Sequence, residues 1–275
     1  MSRPRAAARW VVALVVCLPL FALLGSGQFG SSVGTVSAFA GVRPLHGPQP
    51  THDVLALGDS VPSGRSCDCD PFPVTYGAEL SQRTGARVTV DNRAVSGLDT
   101  EGLMQQLQGP GMQDAVRRAD IVLLTIGAND FGDHHDDVVT GACTQGNSDC
   151  VSDELSSLRS HLASVIDTIR ALRGGQQTEI LVTGYWNVFE DGAVAREEFG
   201  EAGLQQSLDL TVRANAVISA VSADTGARYV DLFAPFEESG RDVTSLVAAD
   251  GDHPDAAGHQ LIANALLDAW TPRPG

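Results

Sequence analysis

The sequence predicts an α/β fold: a three-layer, doubly wound parallel sheet of flavodoxin-like order 2-1-3-4-5, with helices on both faces. Two observations carry this. Short apolar, β-branched runs alternate with stretches of helical periodicity along most of the chain. Strand–helix alternation of this kind packs as a parallel sheet covered by helices, and right-handed crossovers restrict its order. A third observation agrees with both. The residues able to do chemistry fall where the predicted strands end, which is where such sheets bind ligands.

The elements follow in order. Asp53 to Leu57 reads as the first strand, and Thr75 to Arg83 as the helix after it. Arg87 to Asp91 (RVTVD) is the second strand, followed by a helix over Met112 to Arg118. Asp120 to Ile126 (DIVLLTI) is continuously apolar, as a central buried strand should be. Ser152 to Leu172 is helical, with Asp153 and Glu154 placing acids in its first turn. Glu179 to Thr183 (EILVT) is the fourth strand, Gln205 to Ala223 the next helix, and Arg228 to Leu232 (RYVDL) the fifth strand. Asp255 to Trp270 closes the chain as a helix, with Asp255 at the N-cap after Pro254. Two segments read as long loops at the strand ends. Asp130 to Cys150 is polar; Asn187 to Gly203 is acidic and suited to walling a substrate.

The chain has 275 residues, and its first 40 read as a leader. Arg3, Arg5 and Arg9 precede an apolar run from Trp10 to Leu24. Small residues follow, ending Ala38-Phe39-Ala40. This is the pattern of a secretory signal peptide. The apolar run falls short of the roughly 20 residues of a membrane span, yet Ala40 lies far from it. An uncleaved N-terminal anchor therefore stands as the second reading, with the arginines held inside. Residues 41–51 read as a linker and 52–275 as one catalytic domain. The expected location is extracellular, or the outer face of the cytoplasmic membrane, and a monomer is expected.

Formal charge is −16, and −19 without residues 1–40, which hold three Arg and no acid. Such a balance opposes nucleic acid as a partner, because a phosphate backbone selects a basic face. All 18 basic residues are Arg. The absence of Lys excludes a P-loop lysine, a Schiff base and a Ser-Lys dyad. Four Cys lie beyond the leader: Cys67, Cys69, Cys143 and Cys150. An even count in an exported chain points to disulfides, with three pairings open. Cys143 with Cys150 is the easiest bridge. Cys67 with Cys69 would then be a tight pair. Crossed pairing is the alternative.

Three motifs carry chemistry. Gly58-Asp59-Ser60 ends the first strand with a turn that would present Ser60 near free backbone N–H groups. Gly127-Ala128-Asn129-Asp130 ends the third strand. Asp250-Gly251-Asp252-His253-Pro254 precedes the last helix, and Asp250 lies three residues before the imidazole it could orient. A hydroxyl nucleophile, a base, an orienting carboxylate and fixed donors for an oxyanion make a serine hydrolase. Each residue has a blander reading: an N-cap for Ser60, an Asx turn for Asn129, a plain loop for His253. Asp252 and Asp255 crowd the imidazole and leave the choice of carboxylate open. Ser63 is the nearest rival nucleophile. The pattern Gly30-Ser31-Ser32-Val33-Gly34 matches a nucleophile elbow but lacks the strand and helix that context requires.

Together with Asn92-Arg93-Ala94-Val95-Ser96-Gly97 after the second strand, these blocks resemble the SGNH (GDSL-type) hydrolases, and Val61-Pro62-Ser63-Gly64 resembles their secreted actinobacterial esterase and lipase members. The resemblance implies Ser60 as nucleophile, His253 as base and Asp250 as its carboxylate. It implies an oxyanion hole from the N–H groups of Ser60 and Gly97 and the Asn129 amide. It requires no cofactor and no metal. The implied substrate is a small ester, a lipid or an acylated carbohydrate. A carbohydrate O-acetyl esterase and a non-catalytic envelope-binding module are the alternatives. Asp130 is expected to fix its loop. Asp133 to Asp137 (DHHDD) reads as a solvated loop, with a calcium or zinc site as its rival. Tyr185, Trp186 and Phe189 read equally as pocket wall or core packing.

Overall fold

The computed structural model describes residues 49–144, 149–237 and 240–271. The expected leader, 1–40, and residues 41–48 of the expected linker lie outside them. Five strands form one parallel sheet in the order 2-1-3-4-5, as the alternation predicts: β1 (Thr51–Gly58), β2 (Arg87–Asn92), β3 (Ile121–Thr125), β4 (Glu179–Thr183) and β5 (Arg228–Val230). Every residue of β3 is buried, because β1 and β4 flank it and helices cover it. The edge strand β2 has no fully buried residue, only half-buried and exposed ones.

The helices are α1 (Ser60–Ser63), α2 (Phe72–Thr84), α3 (Thr100–Gln106), α4 (Pro110–Arg118), α5 (His135–Val139), α6 (Ser152–Arg173), α7 (Gly192–Glu198), α8 (Gly200–Thr225), α9 (Phe233–Glu237) and α10 (Ala256–Ala269). α2 packs on α10, and α6 on α8. Right-handed crossovers assign these pairs to opposite faces of the sheet. Asp255 caps α10 as expected, its Oδ1 accepting the N–H groups of Ala257 (2.8 Å) and Gly258 (2.9 Å). Among the described residues, no helix is long and apolar enough to cross a membrane.

The structure corrects several boundaries. The two expected loops are partly helical. The first holds a 3-10 turn over Ala128–His134, then α5; the second holds α7. Nothing in the sequence pattern predicts α3. It begins where the Asp99 carboxylate accepts the Gly102 N–H at 2.7 Å. α7 begins likewise at Asp191, whose Oδ1 accepts from Gly192 at 2.6 Å. Local capping, rather than a long apolar stripe, makes both helices. β5 stops two residues before the predicted end. The Asp231 carboxylate accepts from Phe233 (3.0 Å) and Ala234 (3.3 Å) and turns the chain into α9.

The strand order reverses between β1 and β3. Chain leaving β1 crosses to β2 on one side, then returns past β1 to β3. A crevice opens at the carboxyl ends of two strands whose connections diverge in this way.

Candidate active site

Gly58 ends β1 at φ +134°, and a Cβ built there would lie 1.8 Å from the Thr125 carbonyl oxygen of β3. Only glycine fits so close to a neighbouring backbone. The next residue, Asp59, donates its N–H to that same carbonyl at 3.1 Å. Its side chain turns inward, and Oδ1 accepts the Val61 N–H at 2.9 Å. This cap starts α1, so Ser60 stands at the first position of a one-turn helix at the switch point. The expected rival Ser63 is otherwise engaged: its hydroxyl donates to the Ser60 carbonyl at 2.8 Å.

A cleft of about 40 Å³ opens beside Ser60, walled by Asp59, Val61, Ala128, Asn129, Tyr185, Trp186, Asn187, Val188 and Asp252. The structure thus brings the ends of β1, β3 and β4 and the loop before α10 to one place. Tyr185 and Trp186 wall it while each is about 1 % exposed. Phe189 does not; it packs on His135 with ring centroids 4.7 Å apart.

Asn129, in the 3-10 turn after β3, walls the same cleft as Ser60, and its amide is fixed: Nδ2 donates to the Leu98 carbonyl at 2.9 Å. That bond ties the third block to the second, where Gly97 sits at φ +81°, a left-handed conformation that favours glycine. The N–H groups of Ser60 and Gly97 donate to no acceptor among the described residues. Asp130 fixes its loop, as expected. It accepts the Thr100 N–H at 3.1 Å and the Thr100 hydroxyl, which in turn meets His161 Nδ1 at 3.2 Å. Burial raises the Asp130 pKa against those two bonds.

His253 lies in the loop before α10, with 7 % of its surface exposed. Its Nδ1 is 2.9 Å from Asp250 Oδ2 and 3.5 Å from Asp252 Oδ2. Asp250 Oδ1 also accepts the backbone N–H groups of His253 (3.1 Å) and Asp252 (3.2 Å). Partial burial alone would raise the Asp250 carboxyl. The Ser66 hydroxyl, the His253 N–H and ring, and the Asp252 N–H outweigh it and bring its pKa down to about 2. Ser66 holds a left-handed backbone at φ 60°, the one described non-glycine residue to do so. Such strain persists only where the surroundings impose it.

Other histidines stand apart. His259 on α10 accepts the Phe72 N–H at Nδ1 (3.2 Å), and burial pushes its pKa down to about 4. Cys67 pairs with Cys69 beside it, and Cys143 with Cys150, so the crossed alternative does not occur. His134 and His135 are not the solvated loop the sequence suggested. His134 Nε2 meets Glu154 of α6 at 2.9 Å, and His135 Nε2 meets Glu190 at 3.0 Å.

One partnership escaped sequence reasoning. The Tyr185 phenol donates to Asp59 Oδ2 across 126 positions of chain. The one sequence signal for it was the place of Tyr185 directly beyond β4, at the same sheet edge as Ser60. Burial lifts the Asp59 carboxyl to about 7, against the lowering bonds from Tyr185 and Val61.

A family model described as GDSL-like Lipase/Acylhydrolase matches residues 56–261. No curated protein matches the chain. Solved structures share the fold. A lipase from a goat rumen metagenome is 19 % identical with a TM-score of 0.64, over 79 % of this chain and 97 % of that one. Phospholipase A1 from Streptomyces albidoflavus is 24 % identical, with a TM-score of 0.60 over 80 % and 99 %. An acetyl-xylooligosaccharide esterase from Geobacillus is 19 % identical, with a TM-score of 0.57 over 82 % and 99 %.

Proposed function

The chain belongs to the GDSL-like lipase/acylhydrolase family, and on that premise we propose that it hydrolyses carboxylic esters through an acyl-serine intermediate. Ser60 Oγ attacks the ester carbonyl carbon while His253 Nε2 takes its proton. Asp250 keeps the other imidazole proton on Nδ1 and steadies the imidazolium that forms. The N–H groups of Ser60 and Gly97 and the Asn129 amide receive the oxyanion. A fixed donor of this kind typically removes about 2.7–4 kcal/mol from the barrier. The imidazolium returns its proton to the departing alkoxide. Water, activated by the same base, then cleaves the acyl-serine.

The observation that carries this reading is the 2.9 Å Asp250–His253 pair in the same short loop as Asp252, which walls the Ser60 cleft. The cleft beside Ser60 is small and partly aromatic. That favours a short acyl group, and with it the second reading, an O-acetyl esterase acting on carbohydrate. Export, with or without a retained anchor, is proposed on the Arg-flanked apolar leader and the two Cys pairs.

A series of p-nitrophenyl esters from acetate to palmitate, given to the wild type and Ser60→Ala, tests the proposal. Acetate should turn over fastest, and Ser60→Ala should abolish nearly all of it. Equal rates for the two proteins would favour the non-catalytic binding module; a palmitate optimum would rule out the short-acyl reading.

A further inference from the structure

Behind Ser60 runs a line of buried hydrogen bonds that ester hydrolysis does not itself require. Asn215 of α8 clamps the Tyr185 backbone from both sides, accepting its N–H at 2.9 Å and donating to its carbonyl at 2.8 Å. Held this way, the Tyr185 phenol reaches Asp59 Oδ2, and Asp59 Oδ1 takes the Val61 N–H of α1. Asp59 and Tyr185 are each 1 % exposed and Asn215 is 7 % exposed. No arginine pairs with Asp59 among the described residues. A buried carboxylate without a cation is expensive. Asn or Ser would cap a one-turn helix without that cost. The expense falls one residue before the nucleophile.

We propose that Tyr185 is a positioning residue for Ser60: its phenol holds the Asp59 carboxylate in the doubly hydrogen-bonded form that fixes the Gly58–Val61 turn. The proposal rests on the ester-hydrolase reading of Ser60. It makes the turn sensitive to protonation, because a neutral Asp59 is a poorer acceptor for both the phenol and the Val61 N–H. The groups facing Asp59 are Tyr185 beyond β4, the Val61 N–H of α1, and Asp252 and His253 from the loop before α10; Asp130 faces Tyr185. Burial and Asp252 favour the neutral form, whereas Tyr185, Val61 and His253 favour the charged one.

The test is the pH profile of kcat/KM for p-nitrophenyl acetate, from about pH 5 to 9, in wild type, Tyr185→Phe and Asp59→Asn. In the wild type the ionisation of Asp59 should contribute to the acid limb. Without the phenol, Asp59 holds its proton longer. Tyr185→Phe should therefore move the limb up by about one pH unit, with KM unchanged and the several-fold loss at neutrality regained on the alkaline side. The amide introduced by Asp59→Asn can still accept from Val61 and can donate to the phenol oxygen, but it does not titrate, so this variant should lose the Asp59 ionisation and show a shallower acid limb. Two variants whose profiles keep the wild-type slope and midpoint, whatever their rates, would overturn the proposal. Ser60→Ala assayed in parallel separates the premise: full activity there would remove the ester-hydrolase reading and this proposal with it.

Discussion

Two carboxylates approach the same imidazole nitrogen, at 2.9 Å from Asp250 and 3.5 Å from Asp252. Sequence spacing could not choose between them; geometry does. Asp250 also receives two backbone N–H groups, so its orientation is fixed before the imidazole charges. Asp250→Asn should lower kcat by about 10²–10⁴-fold, whereas Asp252→Asn should cost far less. Comparable losses in the two variants would refute the assignment. With a folded pKa of about 2, Asp250 is ionised across the working range, and its stabilising share is present above the ordinary carboxylate pKa and lost as pH falls toward 2. At this scale the sequence was readable wherever a residue sits inside a short local block, as Ser60, Asn129 and His253 do. It was silent where a partner arrives from far along the chain, as Tyr185 does to Asp59.

The strands were legible because burial on both faces leaves continuous apolar runs, as in β3 and β4. The short helices α3, α5 and α7 were not. Their cohesion comes from caps and cross-ties, which leave no periodic stripe to read. Two such ties fasten the segment between β3 and α6. His134 holds Glu154 of α6, and His135 holds Glu190 just before α7. Burial would lower the His135 pKa, but Glu190 and Asp136 outweigh it and raise it. A raised folded pKa makes this contribution fully present below the ordinary histidine value and lost as pH rises through the folded one. Glu190→Gln should therefore lower Tm by a few degrees at mildly acidic pH and hardly at all at alkaline pH. A deficit independent of pH would show that the Glu190 charge is not what ties α5 to α7.

Sheet order was legible for the whole molecule because one handedness rule restricts every crossover, and the five strands take the order expected under it. Charge balance was legible too, but not its burial. Five carboxyls, Asp59, Asp130, Asp191, Glu237 and Asp252, have pKa values raised first by burial. Asp191 and Glu237 face one another, and each keeps a buried oxygen, Oδ2 and Oε1, that no N–H or hydroxyl satisfies. A proton shared between them resolves both, and Glu237 retains it to about pH 8. The pair sits behind the catalytic turn, since the Asp191 N–H donates to the Gly251 carbonyl at 2.7 Å. Between its unfolded pKa and the folded one, each of these carboxyls binds more proton folded than unfolded, so stability falls as pH rises through that window. His135 acts in the same direction; buried His259, its pKa lowered to about 4, opposes them below the ordinary histidine value but is outnumbered. The protein should therefore melt higher near pH 5 than near pH 8, with the drop spread across the interval rather than placed at one midpoint. Glu237→Gln, which keeps a donor facing Asp191, should narrow that drop by a few degrees. Thermal denaturation of both proteins at the two pH values is the measurement. A wild-type Tm that climbs from pH 5 to pH 8 would mean that the buried acids are charged at little expense.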